Sequence, residues 1–296
     1  MNLAHIQGAS FIAFGDWGMD TKDFNVSTQC LYEHQPNFTV LLGDNFYDLG
    51  VASTQDPLWK LFEQIEPTSP IFYAVLGNHD YGKSIDAQSA YSFVNKKWHM
   101  PARYYMKVIP FGNTLICGVF IDSYFLDKFQ LNWLNLVLSS GICQGDSVYR
   151  VVFGHYPVHT VGIFARDGIV KEHRKWVKPL LEQYRVHAYI SGHEHDMQVF
   201  RSNGVQYIIS GAFSDKYQGP ISNGGDSTLI YRSLNLTAFA VFQFNPTKPE
   251  INYFFVDSYT GQQIYNSSID LYSTWTSQVD SCPRFLYLCI LVCLYL

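Results

Sequence analysis

Five short segments of this chain place a side chain that can bind a metal ion beside a glycine. They are Gly15-Asp16-Trp17-Gly18, Gly43-Asp44-Asn45-Phe46-Tyr47, Gly77-Asn78-His79-Asp80, Gly154-His155 and Gly192-His193-Glu194-His195. Carboxylate and phenolate oxygens suit a ferric ion, whereas imidazole and amide groups suit Zn²⁺, Fe²⁺ or Mn²⁺. A carboxylate that bridges two such cations holds them about 3.5–4 Å apart, the spacing that clamps a phosphoryl group during displacement.

Each of the five segments follows a short apolar run that is typical of a buried strand. The runs are residues 11–14, 39–42, 71–76, 150–153 and 188–191. Loops at the carboxyl ends of strands in an open α/β sheet converge on a crevice. We therefore expect all five segments to meet at one edge of a sheet.

Each segment taken alone has a simpler interpretation. An aspartate after a strand usually forms a turn or caps a helix. His193 and His195 alternate on an extended segment, and each could simply satisfy a buried hydrogen bond. Seven ligand-type side chains at strand ends are nevertheless more than turns require, and about as many as two metal ions need. Together they predict a site for two metal ions.

Strand-like and helix-like stretches alternate through the first two thirds of the chain, which indicates an α/β architecture. Helices are predicted after Asp20 and at 58–66, 85–98, 131–138 and 171–184. Strands with little helix between them follow at 205–210, 238–244, 251–256 and 262–269. These later strands predict a second, more antiparallel sheet in the same domain.

The chain is predicted to form a single domain over residues 1–280, followed by a short apolar tail at 281–296. No Pro-, Ser- or Gly-rich linker divides it, and a boundary before His195 would split the site. Residues 285–296 would make a helix of only about 18 Å, too short for roughly 30 Å of hydrocarbon. A truncated membrane anchor, a lipid-anchor signal with Ser273 and Ser277 upstream, and a merely adhesive tail all stay open.

The composition indicates a globular protein without a nucleic-acid surface. The chain has 296 residues, of which 47% are hydrophobic and 17% aromatic, enough for a large core. The formal net charge is −5 and the lysines and arginines are scattered, so no basic stripe is available for nucleic acid.

The cysteine spacing and the targeting signals bear on disulfide bonds and on localisation. The spacing of the six cysteines predicts neither a zinc knuckle nor a disulfide framework. They are Cys30, Cys117, Cys143, Cys282, Cys289 and Cys293. The glycosylation sequons, which favour the secretory pathway, begin at Asn25, Asn37, Asn235 and Asn266. Residues 1–10 are too short and too polar for a signal peptide. We expect a secreted, lysosomal or surface-linked protein.

The five segments, in this order, resemble those of the purple acid phosphatases, specifically the small tartrate-resistant branch of mammals. The similarity continues through residues 87–98, 130–134 and 207–212 and covers roughly 10–270. Tyr47, three residues after Asp44, narrows the resemblance to the purple branch, in which a tyrosinate on ferric iron produces the colour. The family has a four-layer metallophosphoesterase fold, in which two mixed β-sheets pack as a sandwich flanked by helices.

The resemblance also implies a role for each ligand. The ferric ion would be held by Asp16, Asp44, Tyr47 and His195. The divalent ion, Fe²⁺ or Zn²⁺ with Mn²⁺ as a further candidate, would be held by Asp44, Asn78, His155 and His193. His79 would face the phosphate as a proton donor or charge stabiliser, or else support a ligand through a hydrogen bond.

The implied activity is that of an acid phosphatase. A metal-bound hydroxide would attack a phosphate monoester, either a small molecule or a phosphoprotein. Two alternatives stay open: another metallophosphoesterase, such as a phosphodiesterase or protein phosphatase, and a non-catalytic scaffold tethered by the tail. Tyr47 argues against the first, and the complete ligand set argues against the second. The sequence does not determine the oligomeric state.

The chain departs from the family pattern at two places. After His155-Tyr156-Pro157 the family continues with a tryptophan and a Glu-His pair near the substrate, which are absent here. His159, Arg166 and Asp167 are candidates for that role or, alternatively, solvated loop residues. The long loop that represses mammalian enzymes is reduced to a few residues before Gln130, and its stabilising cysteine pair has no evident counterpart, since Cys143 lacks an obvious partner.

Overall fold

Strands buried on both faces form the centre of the chain, as the continuous apolar runs predict. The computed structural model describes residues 8–216 and 228–272. In chain order the strands are β1 (Ser10–Phe14), β2 (Phe38–Leu41), β3 (Phe72–Ala74), β4 (Trp98–His99), β5 (Tyr105–Phe111), β6 (Thr114–Phe120), β7 (Val148–Phe153), β8 (Ala188–Ser191), β9 (Met197–Ser202), β10 (Val205–Ser210), β11 (Leu229–Ser233), β12 (Ala238–Phe244), β13 (Glu250–Asp257) and β14 (Gln263–Asp270).

Six α-helices connect the strands of the described part of the chain. They are α1 (Lys22–Leu31), α2 (Trp59–Ile65), α3 (Ile85–Val94), α4 (Lys128–Ser139), α5 (Gly168–Glu172) and α6 (Lys178–Gln183). A π-helical turn, His173–Val177, joins α5 to α6. Helices α1 and α4 begin at side-chain caps: the Thr21 hydroxyl accepts from Phe24 N in α1, and the Asp127 carboxylate accepts from Gln130 N in α4.

The strands divide into two mixed sheets of seven, which confirms the predicted fold class. The order in the first sheet is β14-β13-β12-β1-β2-β3-β4, and in the second β11-β9-β10-β8-β7-β6-β5. In the first sheet β1 to β4 run parallel, whereas β12 to β14 add antiparallel strands beside β1. In the second sheet β6, β7, β8 and β10 run parallel.

The core lies between the two sheets and is rich in aromatic rings. Phe11 stacks between Phe38 and Phe242 of its own sheet, with ring centroids 4.8 and 4.4 Å away. It also meets Phe153 of the second sheet edge-on at 6.3 Å. A second apolar cluster packs the outer face of the second sheet against α4 and α6, through Leu134, Leu138 and Leu181 among others. The layers therefore run helix, sheet, sheet, helix.

Two predictions about the strands and helices are wrong in detail. The later strands do not form a sheet of their own: β10 joins the second sheet beside β8, while β12 to β14 extend the first. The helix predicted at 85–98 ends at Val94, because Asn95 adopts an extended backbone and Trp98 pairs with Phe72 as part of β4. Alternation of residue types does not show which sheet a strand joins.

The cysteine prediction is also wrong. Cys117 in β6 and Cys143 in the turn after α4 form a disulfide bond, with Cα atoms 5.4 Å apart. Helix α4 packs back over β6, and this tertiary contact brings together two cysteines that are 26 residues apart. Cys30 is buried and forms no disulfide bond with another cysteine of the described residues.

No helix among the described residues combines the length and the apolar character needed to cross a bilayer. The predicted tail at 281–296 lies outside the described residues, as do Ser273 and Ser277. The boundary predicted at residue 280 therefore stays a prediction.

Candidate metal centre

The five ligand-bearing segments meet at one edge of the sandwich, but they come from both sheets. Strands β1, β2 and β3 of the first sheet and β7 and β8 of the second end at this edge. Backbone hydrogen bonds tie the segments together, from Asp16 N to Gly43 O at 3.0 Å and from Gly192 N to His155 O at 3.1 Å. The prediction that all five segments lie at the edge of one sheet is therefore wrong, because β7 and β8 belong to the second sheet.

Three of the predicted ligands occupy the left-handed backbone region that only glycine adopts freely. The φ angles are 59° at Asp16, 50° at Asp44 and 70° at His193. Such conformations cost about 1–3 kcal/mol each and cluster at functional sites. Gly77 is required for a related reason, since a Cβ atom there would lie 2.1 Å from Asp44 Oδ1. The backbone is shaped to bring these carboxylates together.

One group of donors surrounds the Tyr47 hydroxyl. Its oxygen lies 3.2 Å from Asp16 Oδ1, 3.0 Å from Asp44 Oδ2 and 3.3 Å from His195 Nε2. His195 Nε2 is also 3.3 Å from Asp16 Oδ1. These are the four side chains that the resemblance assigns to a ferric ion.

A second group surrounds His155 Nε2 and shares Asp44 with the first. The ring nitrogen lies 3.3 Å from Asp44 Oδ2, 3.1 Å from Asn78 Oδ1 and 3.2 Å from His193 Nδ1. The opposite nitrogen, Nδ1, is fixed by Leu42 O at 2.8 Å. The structure thus brings together all seven predicted ligands, with Asp44 between the two groups.

The electrostatics of the centre favour positive charge. Burial would lower the pKa of His155, but Asp44 and Asp16 outweigh it and raise the pKa to about 9. Burial likewise opposes protonation of His195, yet Asp16 and Asp215 raise its pKa to about 10. Burial favours a neutral Asp44, but the charge and hydrogen bond of His155 hold its pKa well below the usual range. The paired carboxylates stabilise whatever cation lies beside them.

The donor set fits metal ions better than it fits a hydrogen-bonded network. Tyr47 has one proton, although two carboxylate oxygens, Asp16 Oδ1 and Asp44 Oδ2, lie within 3.2 Å of its hydroxyl oxygen. His193 Nε2 is buried and has no hydrogen-bond partner among the described residues. Asp16, Asp44 and His155 each offer one ligand atom within 4.8 Å of the others. Cations would satisfy this excess of lone pairs and would replace protons on the imidazoles.

Two carboxylates that the sequence did not single out support the ligands. Asp80 is fully buried and accepts from Asn45 N, Phe46 N and Gly77 N at 2.8–3.2 Å, which joins two ligand loops. Asp215 Oδ2 lies 3.2 Å from His195 Nδ1 and so orients Nε2 towards the centre. Asp80 belongs to the third glycine-flanked segment, but no local signal points from Asp215 to His195.

A cavity of about 250 Å³ opens beside the two groups. Its lining consists of Asp44, Asn78, His79, Tyr156, Phe164, Asp167, His193 and His195. His79 donates its backbone N–H to Asp44 Oδ1 at 2.9 Å, and its Nδ1 lies 2.9 Å from Asp48 O. That contact leaves Nε2 as the ring nitrogen available to the cavity.

The three candidates for the missing acid separate in the structure. Asp167 lines the cavity, whereas Arg166 is exposed and does not line it. The ring of His159 packs instead on Tyr207 and Phe200, with centroids 4.7 and 5.8 Å apart.

Two aromatic lining residues, Tyr156 and Phe164, were not predicted. Their rings lie 3.9 and 4.2 Å from the ring of His193.

Glu194, between the two histidines, fixes the loop that carries Phe164. Its Oε1 accepts from the Thr160 hydroxyl at 2.6 Å and from Phe164 N at 3.0 Å. Gly162 lies directly against it, since a Cβ atom there would come within 2.1 Å of Oε2. The segment Gly192-His193-Glu194-His195 therefore supplies two ligand candidates and the anchor of the cavity wall.

Comparison with known proteins agrees with this geometry. Residues 9–197, more than half of the chain, match the model of the calcineurin-like phosphoesterase family. The chain belongs to the calcineurin-like phosphoesterases. This phosphoesterase is 31% identical to human tartrate-resistant acid phosphatase type 5, over 72% of its own length and 77% of the human protein. The family match and this relative confirm the resemblance inferred from the motifs and the prediction of an acid phosphatase.

Solved structures of two relatives share the fold of this phosphoesterase. GAP50, described as the anchor in the inner membrane complex of Plasmodium, matches with a TM-score of 0.76 at 25% identity and 88% coverage of both chains. Purple acid phosphatase PPD1 from yellow lupin seeds matches with a TM-score of 0.70 at 15% identity, over 94% of this chain and 57% of the lupin chain. The second likeness concerns the fold alone.

Proposed function

We propose that this phosphoesterase hydrolyses phosphate monoesters at acidic pH with a dinuclear centre of Fe³⁺ and either Fe²⁺ or Zn²⁺. The observation that carries the proposal is the pair of ligand groups around Tyr47 and His155, which share Asp44. The first group is rich in anionic oxygen donors, as a ferric ion prefers, and the second is rich in neutral donors, as a divalent ion prefers. Mn²⁺ is a further candidate for the second position.

When bound, the two ions would supply a nucleophile from water in acid and neutralise the phosphate charge. Asp16, Asp44, Tyr47 and His195 would hold one ion, and Asp44, Asn78, His155 and His193 the other. Burial and the two carboxylates raise the pKa of Tyr47 well above 10 in the metal-free protein. A trivalent cation held beside Tyr47 would lower that pKa again, because it would stabilise the phenolate.

His79 would donate a proton to the departing alcohol. The contact between Nδ1 and Asp48 O at 2.9 Å fixes the ring, and the 4.4 Å approach of the Tyr47 ring supports it from one side. Nε2 is then the nitrogen that can reach the ester oxygen and protonate it as the P–O bond breaks. Asp167 is the second acid in the lining, on the wall formed by the loop after His155.

We further propose that the protein passes through the secretory pathway. The asparagines of all four sequons, Asn25, Asn37, Asn235 and Asn266, are exposed and open to glycosylation. The disulfide bond between Cys117 and Cys143 is of a kind that persists in oxidising compartments. Mass spectrometry of the protein from its native source, before and after deglycosylation, tests this placement.

Metal analysis, visible absorption and turnover of p-nitrophenyl phosphate test the enzyme proposal together. We expect about two metal ions per chain, a broad visible band and hydrolysis that is faster in acid than at neutral pH. Asp44→Ala should abolish metal binding and turnover, because both ligand groups use that carboxylate. Asp127→Asn, at the N-cap of α4 and outside the cavity lining, is the matched control. An inert, colourless, metal-free protein would refute the proposal.

A second candidate function is a structural anchor. The observation that favours it is the likeness to GAP50, which covers 88% of both chains. In that case the protein would be held by partners at a membrane, and substitution of its ligands would not disturb that association. Co-purification of wild-type protein and Asp44→Ala from native membranes separates the two functions, which can also coexist in one molecule.

A further inference from the structure

The cavity wall beside His193 combines two aromatic rings with a carboxylate. Phe164 and Tyr156 lie against His193, and Asp167 follows Phe164 on the same short loop, with Asp167 N donating to Phe164 O at 2.9 Å. Asp44, His193 and His195 are nearly buried at the base, whereas Phe164 and Asp167 are half-buried. A phosphate held at the base would therefore direct its alcohol towards this wall.

The charge of the wall is unusual for a site that accepts a polyanion. Neither lysine nor arginine lines the cavity among the described residues. The sequence between 217 and 227, outside the described residues, contains no lysine or arginine either. A leaving group that carries further phosphates would meet the Asp167 carboxylate without a lysine or arginine of the described lining to offset the repulsion.

The position of Asp167 is fixed by the fold. Its Oδ1 caps α5 by accepting from Ile169 N at 2.7 Å and Val170 N at 3.3 Å. Both hydrogen bonds use Oδ1, so Oδ2 is the oxygen that remains for a ligand. Glu194 holds the preceding residue of the wall through Phe164 N. The carboxylate is thus presented on a rigid support beside two aromatic rings.

We propose that this wall is a subsite for a cationic leaving group, and that the preferred substrates are phosphate monoesters of amino alcohols. This subsite rests on the metal centre of the proposed function, since the bound cations must hold the phosphate. A carboxylate beside aromatic rings is the combination that recognises alkylated ammonium groups. The positive charge of the alcohol portion pairs with Asp167, and its methyl or methylene groups contact Phe164 and Tyr156.

Phosphocholine and 3,3-dimethylbutyl phosphate test the proposal. They have the same shape, but the quaternary nitrogen of choline is replaced by an uncharged carbon in the second ester. We expect the metal-loaded wild-type protein to prefer phosphocholine about tenfold in kcat/KM, from one ion pair and one cation–π contact. Asp167→Asn should reduce the preference to within about twofold, since asparagine keeps the helix cap but removes the charge. Asp127→Asn removes a charge from the N-cap of α4, away from the cavity, and should keep the full preference.

Calorimetric binding of the same two esters to the metal-loaded protein gives a readout that does not depend on turnover. Equal affinity for both esters in the wild type overturns the subsite, and a preference that survives in Asp167→Asn overturns the role of that carboxylate. Turnover of p-nitrophenyl phosphate reports separately on the phosphatase. If p-nitrophenyl phosphate is hydrolysed while the two esters show equal affinity and equal kcat/KM, the subsite alone is wrong. If p-nitrophenyl phosphate is not hydrolysed, the phosphatase proposal is wrong, and the ratio of the two binding affinities still decides the subsite.

Discussion

At the scale of single residues, the metal centre depends on side chains whose ordinary preferences are overridden. Asp16, Asp44 and His193 adopt a backbone conformation that costs free energy, and in the metal-free protein the carboxylates raise the pKa of His155 to about 9 and that of His195 to about 10. Bound cations would offset both effects, because they would replace the protons on the imidazoles and stabilise the close approach of the ligand side chains. Stability and metal content should therefore be linked.

Tyr47 is the residue that distinguishes a purple centre from other dinuclear centres. We predict that Tyr47→Phe loses the visible band and most of the ferric ion. The divalent ion should remain, because the group around His155 does not use Tyr47. Metal analysis with absorption spectroscopy measures both effects. A variant that keeps the band would show that the colour does not arise from Tyr47.

Asp215 acts on the centre through His195 and not by direct contact. Asp215→Asn can still hold Nδ1 but removes the negative charge that makes the imidazole a stronger ligand. We predict a decrease in affinity for the ion at His195 of about tenfold or more, with the fold unchanged. Competition with a chelator measures the affinity, and circular dichroism checks the fold. An unaltered affinity would make Asp215 a surface residue without a role at the centre.

At the scale of elements, the disulfide fastens the end of α4 to the second sheet. Cys117 lies in β6 and Cys143 in the turn that follows α4, and both side chains are buried. The bond closes a loop across a sequence separation of 26 residues, so it restricts the unfolded chain more than the folded one. It does not involve the candidate metal ligands, since those lie on other loops.

We predict that the paired substitution Cys117→Ala with Cys143→Ala lowers the free energy of unfolding by about 2–4 kcal/mol. Metal content should not change. Cys30→Ala is the matched control, because it removes a buried cysteine that lies outside this disulfide and is unbridged within residues 8–216 and 228–272. Denaturant unfolding gives the difference. If the paired variant loses no more than the control, the bond does not stabilise the protein.

At the scale of the whole molecule, His187 ties the end of the described chain to the second sheet. Its Nδ1 accepts from Arg150 N at 3.0 Å, and its Nε2 lies 3.2 Å from Leu271 O, which suits the neutral ring. Burial and then the charge of Arg150 lower its pKa from 6.5 to about 4. The unfolded chain therefore takes up this proton first as the pH falls, and the folded state loses stability below about pH 6.5.

We predict that the wild type loses on the order of 2–3 kcal/mol more stability than His187→Gln between pH 6.5 and pH 4. Glutamine can donate to Leu271 O but cannot take up the proton. Denaturant unfolding at the two pH values measures the difference, and pH effects of the metal centre cancel because both proteins share it. Parallel losses in the two proteins would mean that His187 does not titrate on unfolding.

The parts of this protein that the sequence determines are those with a local signal. The strands before the ligand segments are apolar runs of the right length, so β1, β2, β7 and β8 lie where they are predicted within two residues. The ligand candidates could be chosen because Asp, Asn, Tyr and His beside a glycine carry their chemistry in the residue type. The family followed from the order of those segments, without knowledge of the sheets.

The parts that only the tertiary structure decides are those that depend on contacts between distant segments. Which sheet β10 joins, the pairing of Cys117 with Cys143, the support of His195 by Asp215 and the choice of Asp167 over His159 for the cavity all depend on how layers pack. The free energy of packing is a sum over many small contacts between distant segments, so one short stretch of sequence does not reveal it. The sequence alone therefore selected the candidate ligands, and the fold decided what surrounds them.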